Sequence, residues 1–213
     1  MSRSEQHLLR KRSLSRYVVI LMNRVHHSTT AASAVLRLRA LAHPMRWKLI
    51  DLLESEGSAT ATRCAEALGE SVASCSYHLG ILAKYGFIEL IPRNAGREKP
   101  WRMLSSPQDL TPQSSDPEEE LAARAAGEAF LDHEVERTKS WLSRASLDVP
   151  EWRNASAAGG STMYVTAVEL LEIKDELAGV LLRFEDRESD PAHRPASARR
   201  ARVFFSTSVD PSQ

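Results

Sequence analysis

The run Ala65-Glu66-Ala67-Leu68-Gly69-Glu70-Ser71-Val72-Ala73-Ser74-Cys75-Ser76-Tyr77-His78-Leu79 constrains the fold of this chain more than any other stretch. Gly69 can take the positive φ that stops one helix, and Ser71, two residues on, offers an oxygen to the unpaired N–H groups that begin another. Cys75, Leu79 and Leu82 then recur at spacings of four and three and form one inward stripe. Ala73, Ser74, Tyr77 and His78 are left outside it. Upstream, Thr60 or Ser58 caps the first helix of the pair, which ends at Leu68.

The flanking segments fit around this corner. Residues 31–42 are Ala-rich with Val35, Leu36, Leu38 and Leu41 apolar, which suits a first helix packed on other helices or on a second subunit. His43-Pro44 interrupts it. Pro44 suits the first turn of the next helix, where a missing N–H costs nothing, and Leu49, Ile50, Leu52 and Leu53 supply that helix's buried face before Gly57 ends it. After Gly86 the period changes: Phe87, Ile88, Leu90 and Ile91 read as a strand, 92–99 as a turn and Trp101 to Leu104 as a return strand. Arg93, Arg97 and Lys99 crowd the tip of that hairpin, with Asn94 and Gly96 for the bend. Helix, helix, tight turn, helix and basic hairpin is the order of parts in a winged helix-turn-helix. Function in that fold lies in the side chains that the second motif helix offers to a DNA groove.

The rest of the chain reads less sharply. Residues 1–30 read as a mostly disordered basic arm rich in Ser, Arg and His, and 105–115 have linker composition. Asp116-Pro117-Glu118-Glu119-Glu120 is a strong helix start, and the helix is expected to reach about Ala145, with Leu121, Ala125, Phe130, Leu131, Val135, Trp141 and Leu142 as its apolar stripe. Beyond a loop through Pro150 and Gly159-Gly160, Thr162 to Val165 reads as a short strand. Thr166 and Glu169 open a further helix carrying Leu170, Ile173, Leu177, Val180, Leu181 and Phe184, and Val203 to Phe205 is expected to pair with 162–165. The fold class is therefore mainly α with a small β content. The domains are the arm 1–30, a winged helix-turn-helix over 31–108, and an α-rich dimerisation or effector region with a short β pair over 109–213.

With 213 residues and 42% apolar content the chain can bury a real core. Its longest apolar run, Tyr17 to Met22, falls far short of the roughly 20 residues that cross a bilayer, so no membrane association is expected. It is also too short for a secretory signal, and the expectation is a cytoplasmic protein. Cys64 and Cys75 both fall in helices and do not suggest a disulfide framework. The net charge of zero hides an asymmetry: residues 1–105 carry +8 and residues 106–213 carry −8. A basic half that holds the helical corner fits attraction to phosphate, and the acidic half fits a module held away from it.

From Ala40 to Leu104 the chain resembles the ArsR-type winged-helix transcriptional regulators. The matching residues are Leu41-Ala42-His43-Pro44 and Arg46, Ala65 to Gly69, Ser76, His78-Leu79 and Leu82, and Tyr85-Gly86-Phe87-Ile88. The resemblance implies a homodimer on double-stranded DNA, with one recognition helix per subunit in successive major grooves about 34 Å apart. It places Ala73, Ser74, Tyr77 and His78 at base edges, with a capping or core-edge role as the alternative for His78, Ser71 on a phosphate at the helix N-terminus, and Arg93, Arg97 and Lys99 on the backbone or in the minor groove.

Two departures from the family narrow this. Where metal-sensing members carry paired cysteines this chain has Thr60 and Thr62, and Asp132, His133 and Glu136 lie in the wrong register for the other metal site of the family, so no metal or cofactor is expected. The recognition helix is also sparsely basic, with Lys84 as its one permanent cation, so Arg46 or Arg63 is expected to help at the backbone. A small-molecule effector remains open, with Trp141, Trp152 and Tyr164 as candidate walls. The alternative function is a winged-helix protein-interaction module with only non-specific DNA affinity. No phosphate loop, nucleophile elbow or metal-ligand spacing supports an enzyme.

Overall fold

The computed structural model describes residues 31–92, 99–104, 110, 115–184, 186, 187 and 190–209. The arm over 1–30 and the hairpin tip with Arg93 and Arg97 lie outside the described residues. Seven α-helices and one two-stranded antiparallel sheet make up the described part, a mainly helical fold. The expected boundary at 108/109 does not divide the packing: one compact unit runs from Val25 to Arg153 and the other contains Asn154–Gln213.

In the first unit, α1 (Ala31–Leu41) and α2 (Pro44–Glu56) are separated by His43, whose backbone is extended and whose Nδ1 accepts the Met45 N–H at 3.2 Å. Of the two candidate caps for α3 (Ala61–Leu68), Thr60 takes the role, accepting from the Arg63 N–H at 3.1 Å. Gly69 ends that helix at φ 68°, and the Ser71 hydroxyl accepts the Ser74 N–H at 3.1 Å to start α4 (Val72–Lys84). Gly86, at φ 72°, turns the chain into β1 (Ile88–Leu90), which pairs with β2 (Trp101–Met103), Ile88 facing Met103 and Leu90 facing Trp101. Both strands are shorter than the sequence pattern suggests. The hairpin also has a tie that the pattern does not reveal: Ala59 and Trp101 exchange backbone hydrogen bonds at 2.8 and 3.0 Å, which joins the α2–α3 loop to the edge of β2.

Leu49, Leu53, Cys64, Cys75, Leu79, Leu82 and Ile88 are fully enclosed and form the centre of this unit. Around them, the Trp47 indole donates to the Leu41 carbonyl at 2.8 Å, and the Arg37 guanidinium lies 4.4 Å above the Phe87 ring and donates to the Tyr85 carbonyl. On α1, Val35, Leu38 and Leu41 are buried and Leu36 is exposed.

Helix α5 (Pro117–Leu142) starts as read, with the Asp116 carboxylate accepting the Glu118 N–H at 3.0 Å. Its buried face differs from the expected stripe. Ala122, Ala123, Ala126 and Ala129, with Glu119, His133 and Glu134, are enclosed, while Leu121, Leu131, Val135 and Leu142 are exposed. Small side chains let α5 lie close against α1 and α2, and three ion pairs fasten it there: Arg39 to Glu118 at 2.6 Å, Lys48 to Glu136 at 3.5 Å, and Arg137 to Asp51. Phe130 sits at the margin, its ring 5.0 Å from that of Trp47.

A short helix, α6 (Pro150–Ala155), marks the division. In the second unit, α7 (Ala167–Leu182) opens with the expected capping box, in which Thr166 Oγ1 accepts the Glu169 N–H at 3.3 Å and the Glu169 carboxylate accepts the Thr166 N–H at 2.7 Å. The strands expected at 162–165 and 203–205 do not form. Each offers three or four residues, and so short an isolated pair is marginal. No described residue beyond Arg153 is buried.

Candidate nucleic-acid interface

Helix α4 is anchored by Cys75, Leu79 and Leu82 and turns its opposite side outward. At 3.6 residues per turn, Ala73, Ser76, Tyr77, Gly80 and Lys84 fall on that outer side, and all five are exposed. Tyr77 is the one aromatic side chain among them, at 64% exposure. Ser71 is exposed at the helix start, next to N–H groups that favour an anion. Ser74 is half-buried at the edge of the outer face, and Lys99 is exposed where the hairpin returns. Ser76 and Gly80, which are not among the expected DNA contacts, join this face because both lie at helical spacing from Ala73 and Tyr77.

His78 is not on the exposed face. It is 8% exposed, with its ring centroid 4.4 Å from that of His43 and 5.2 Å from that of Tyr77. Cys75, His78, Leu79 and Leu82 follow the i, i+3, i+4, i+7 rule of a buried helical face, so its position in the sequence outweighs its polarity. Tyr77, His78 and His43 therefore form a column from the outer surface of α4 to the cap of α2. Burial holds both imidazoles below the ordinary histidine value, and nearby Arg46 adds to each shift.

The cations expected to help at the backbone are already engaged. Arg46 donates to the carbonyls of Arg39 at 3.2 Å and Ala40 at 2.6 Å and so closes the C-terminal end of α1. Arg63 pairs with Glu56 at 2.7 Å, a hydrogen bond that raises the guanidinium pKa and lowers that of the carboxylate. On the hairpin, Arg102 pairs with Glu89 across the strands at 2.6 Å. Lys84 has its ammonium 5.3 Å from the Tyr85 ring. Among the described residues no group of three or more His, Cys, Asp or Glu is placed to hold a metal ion. Burial pushes the Cys64 thiol up to about 11 and raises that of Cys75, so neither is a ready thiolate.

A protein-family model described as a helix-turn-helix domain matches residues 41–91, the span from the end of α1 through β1. Residues 41–91 form a helix-turn-helix domain. The paired strand β2 gives that domain its wing. No curated protein matches the chain. Among solved structures the chain is similar to the apo form of a ZitR mutant from Lactococcus lactis, at 17% identity over 86% of this chain and 98% of that one, with a TM-score of 0.25. No helix among the described residues is long and apolar enough to cross a membrane.

Proposed function

We propose that this chain is a sequence-specific transcription regulator of the ArsR type, a homodimeric repressor that reads the major groove with α4 and touches the backbone or minor groove with its wing. The observation that carries this is the outer face of α4: small residues at Ala73, Ser76 and Gly80 allow a close approach to base edges, and Tyr77 and Lys84 flank them, within a helix-turn-helix domain. In this reading Ser71 contacts a phosphate at the helix start and Ser74 reaches a base edge from the margin of the face. Lys99, with Arg93 and Arg97 of the wing tip, supplies the sequence-independent part. His78 supports Tyr77 from behind instead of touching a base.

Dimerisation through α5 is supported by the exposed Leu121, Leu131, Val135 and Leu142, which fall within an arc of about 80° opposite the alanine face. Fluorescence anisotropy on DNA from upstream of its own gene and on scrambled DNA tests the reading. The expected result is a preference of about 10³-fold or more with a steep salt dependence. Equal, weak binding to both would defeat it.

One observation favours a second reading. Among the described cations near α4, Arg46, Arg63 and Arg102 are engaged within the chain, which suits a protein-interaction module with DNA affinity no better than about 10⁻⁴–10⁻⁶ M. A protein partner whose binding is lost in Tyr77→Ala, with no DNA preference in the wild type, would establish it.

A further inference from the structure

We infer that the adjacent rings of His43 and His78 are a positioning device for Tyr77 that works only while both rings are neutral, so that acid releases Tyr77 and lowers the sequence preference of α4 for DNA. The preference rests on the function proposed above; the positioning does not.

The geometry supplies three reasons. First, His43 caps α2 by accepting the Met45 N–H at Nδ1, so its ring must carry its proton at Nε2. Protonation puts a hydrogen on Nδ1 and removes the acceptor. Second, the Nδ1 of His78 is enclosed with no hydrogen-bond partner, so an imidazolium there would bury an unpaired N–H together with its charge. Third, the two rings are 4.4 Å apart, and two cations at that distance repel.

The charged and titratable groups around the pair come from each packed element. Arg46 of α2 disfavours protonation of both rings, Glu70 in the turn before α4 favours it for His78, and Tyr77 lies edge-on to His78. Burial is the largest influence on both rings, and it acts in the same direction as Arg46. The neutral pair thus holds the α2 cap, the inner edge of α4 and the Tyr77 ring together. The sign of the expected effect is unusual for a DNA-binding protein. A histidine at a phosphate strengthens binding as pH falls, whereas this pair weakens discrimination.

The test uses the full chain labelled with fluorotyrosine, the Tyr77 signal being assigned through Tyr77→Phe. His78→Phe keeps a ring in the buried slot and removes its titration, and His43→Asn keeps a capping acceptor without an imidazole. In the wild type the Tyr77 fluorine resonance should move between about pH 7.5 and about pH 5, with a midpoint below about 6.5, and in both variants it should move clearly less, because each keeps only one of the two imidazoles. A wild-type resonance that does not move, or that moves equally in either folded variant, overturns the inference without any DNA present. In parallel, the ratio of affinities for upstream and scrambled DNA at constant ionic strength should fall about tenfold from about pH 7.5 to about pH 5.5 in the wild type, and by no more than about twofold in the variants. A ratio that does not change with pH overturns the link to DNA. Absence of any preference at the higher pH defeats the proposed function instead, and the fluorine signal still decides the positioning. Circular dichroism identifies a variant that does not fold, and the two variants act through different helices, so one remains informative if the other is lost.

Discussion

His78 shows how spacing can decide between two roles that the chemistry of a residue leaves open. It completes the i, i+3, i+4, i+7 set of Cys75, Leu79 and Leu82, which a reading by polarity assigns to the surface. Caps were legible for the opposite reason, because an unpaired N–H asks for an oxygen one turn away, and Thr60, Ser71, Asp116 and Thr166 all provide one. What no single-residue rule could show is the engagement of Arg46 by α1 carbonyls, a long-range matter of packing. Two predictions belong at this scale. Gly86 sits at φ 72° with an Arg37 guanidinium nitrogen 3.4 Å from where a Cβ would stand, so Gly86→Ala should destabilise the domain by about 1–2 kcal/mol, read from the midpoint of urea unfolding. His133, buried on the inner side of α5, has its pKa lowered chiefly by burial and also by Arg137, against the pull of Asp51, Glu134 and Glu136. The unfolded chain then takes up the proton first, so its contribution to stability is present above about pH 6.5 and is lost as pH falls from there through the lowered folded value. His133→Gln should flatten that part of the decline in thermal melts taken across the pH range. A decline as steep as in the wild type would show that His133 is not a source of it.

Among the elements, α5 is where the sequence pattern pointed the wrong way. Large apolar residues dominate any hydrophobicity reading, yet the face that meets α1 and α2 is alanine, chosen for proximity, and the leucines face outward. Substitutions should therefore behave in inverse order of side-chain size. Ala126→Leu forces bulk into a fully enclosed contact and should cost about 1–3 kcal/mol, whereas Leu131→Ala, at an exposed position, should change the stability of the isolated subunit by no more than about 0.5 kcal/mol. Leu79→Ala, in the fully buried stripe of α4, should cost about 2–5 kcal/mol. Equilibrium denaturation of the three variants ranks them directly. Equal losses at Ala126 and Leu131 would mean that α5 packs with a different face.

For the molecule as a whole, the opposed charges of its two halves and the order of helices and hairpin were legible, because charge and period survive without knowledge of contacts. The division at 153/154 was not legible, since a linker composition at 105–115 marks the composition of a segment and not the surface on which the next helix lands. At this scale the test is assembly: Leu131→Glu combined with Val135→Glu should shift sedimentation of a dimer toward the monomer while leaving far-UV circular dichroism unchanged. A dimer unaffected by both charges would place the subunit contact elsewhere. Surface loops generally accept added residues at little cost in stability. The α2–α3 loop is an exception, because Ala59 and Trp101 are bonded through both backbone partners. One residue inserted beside Ala59 would exchange the donor and acceptor that it presents to β2, so the length of this loop is set by a strand far along the chain and not by the two helices that it joins.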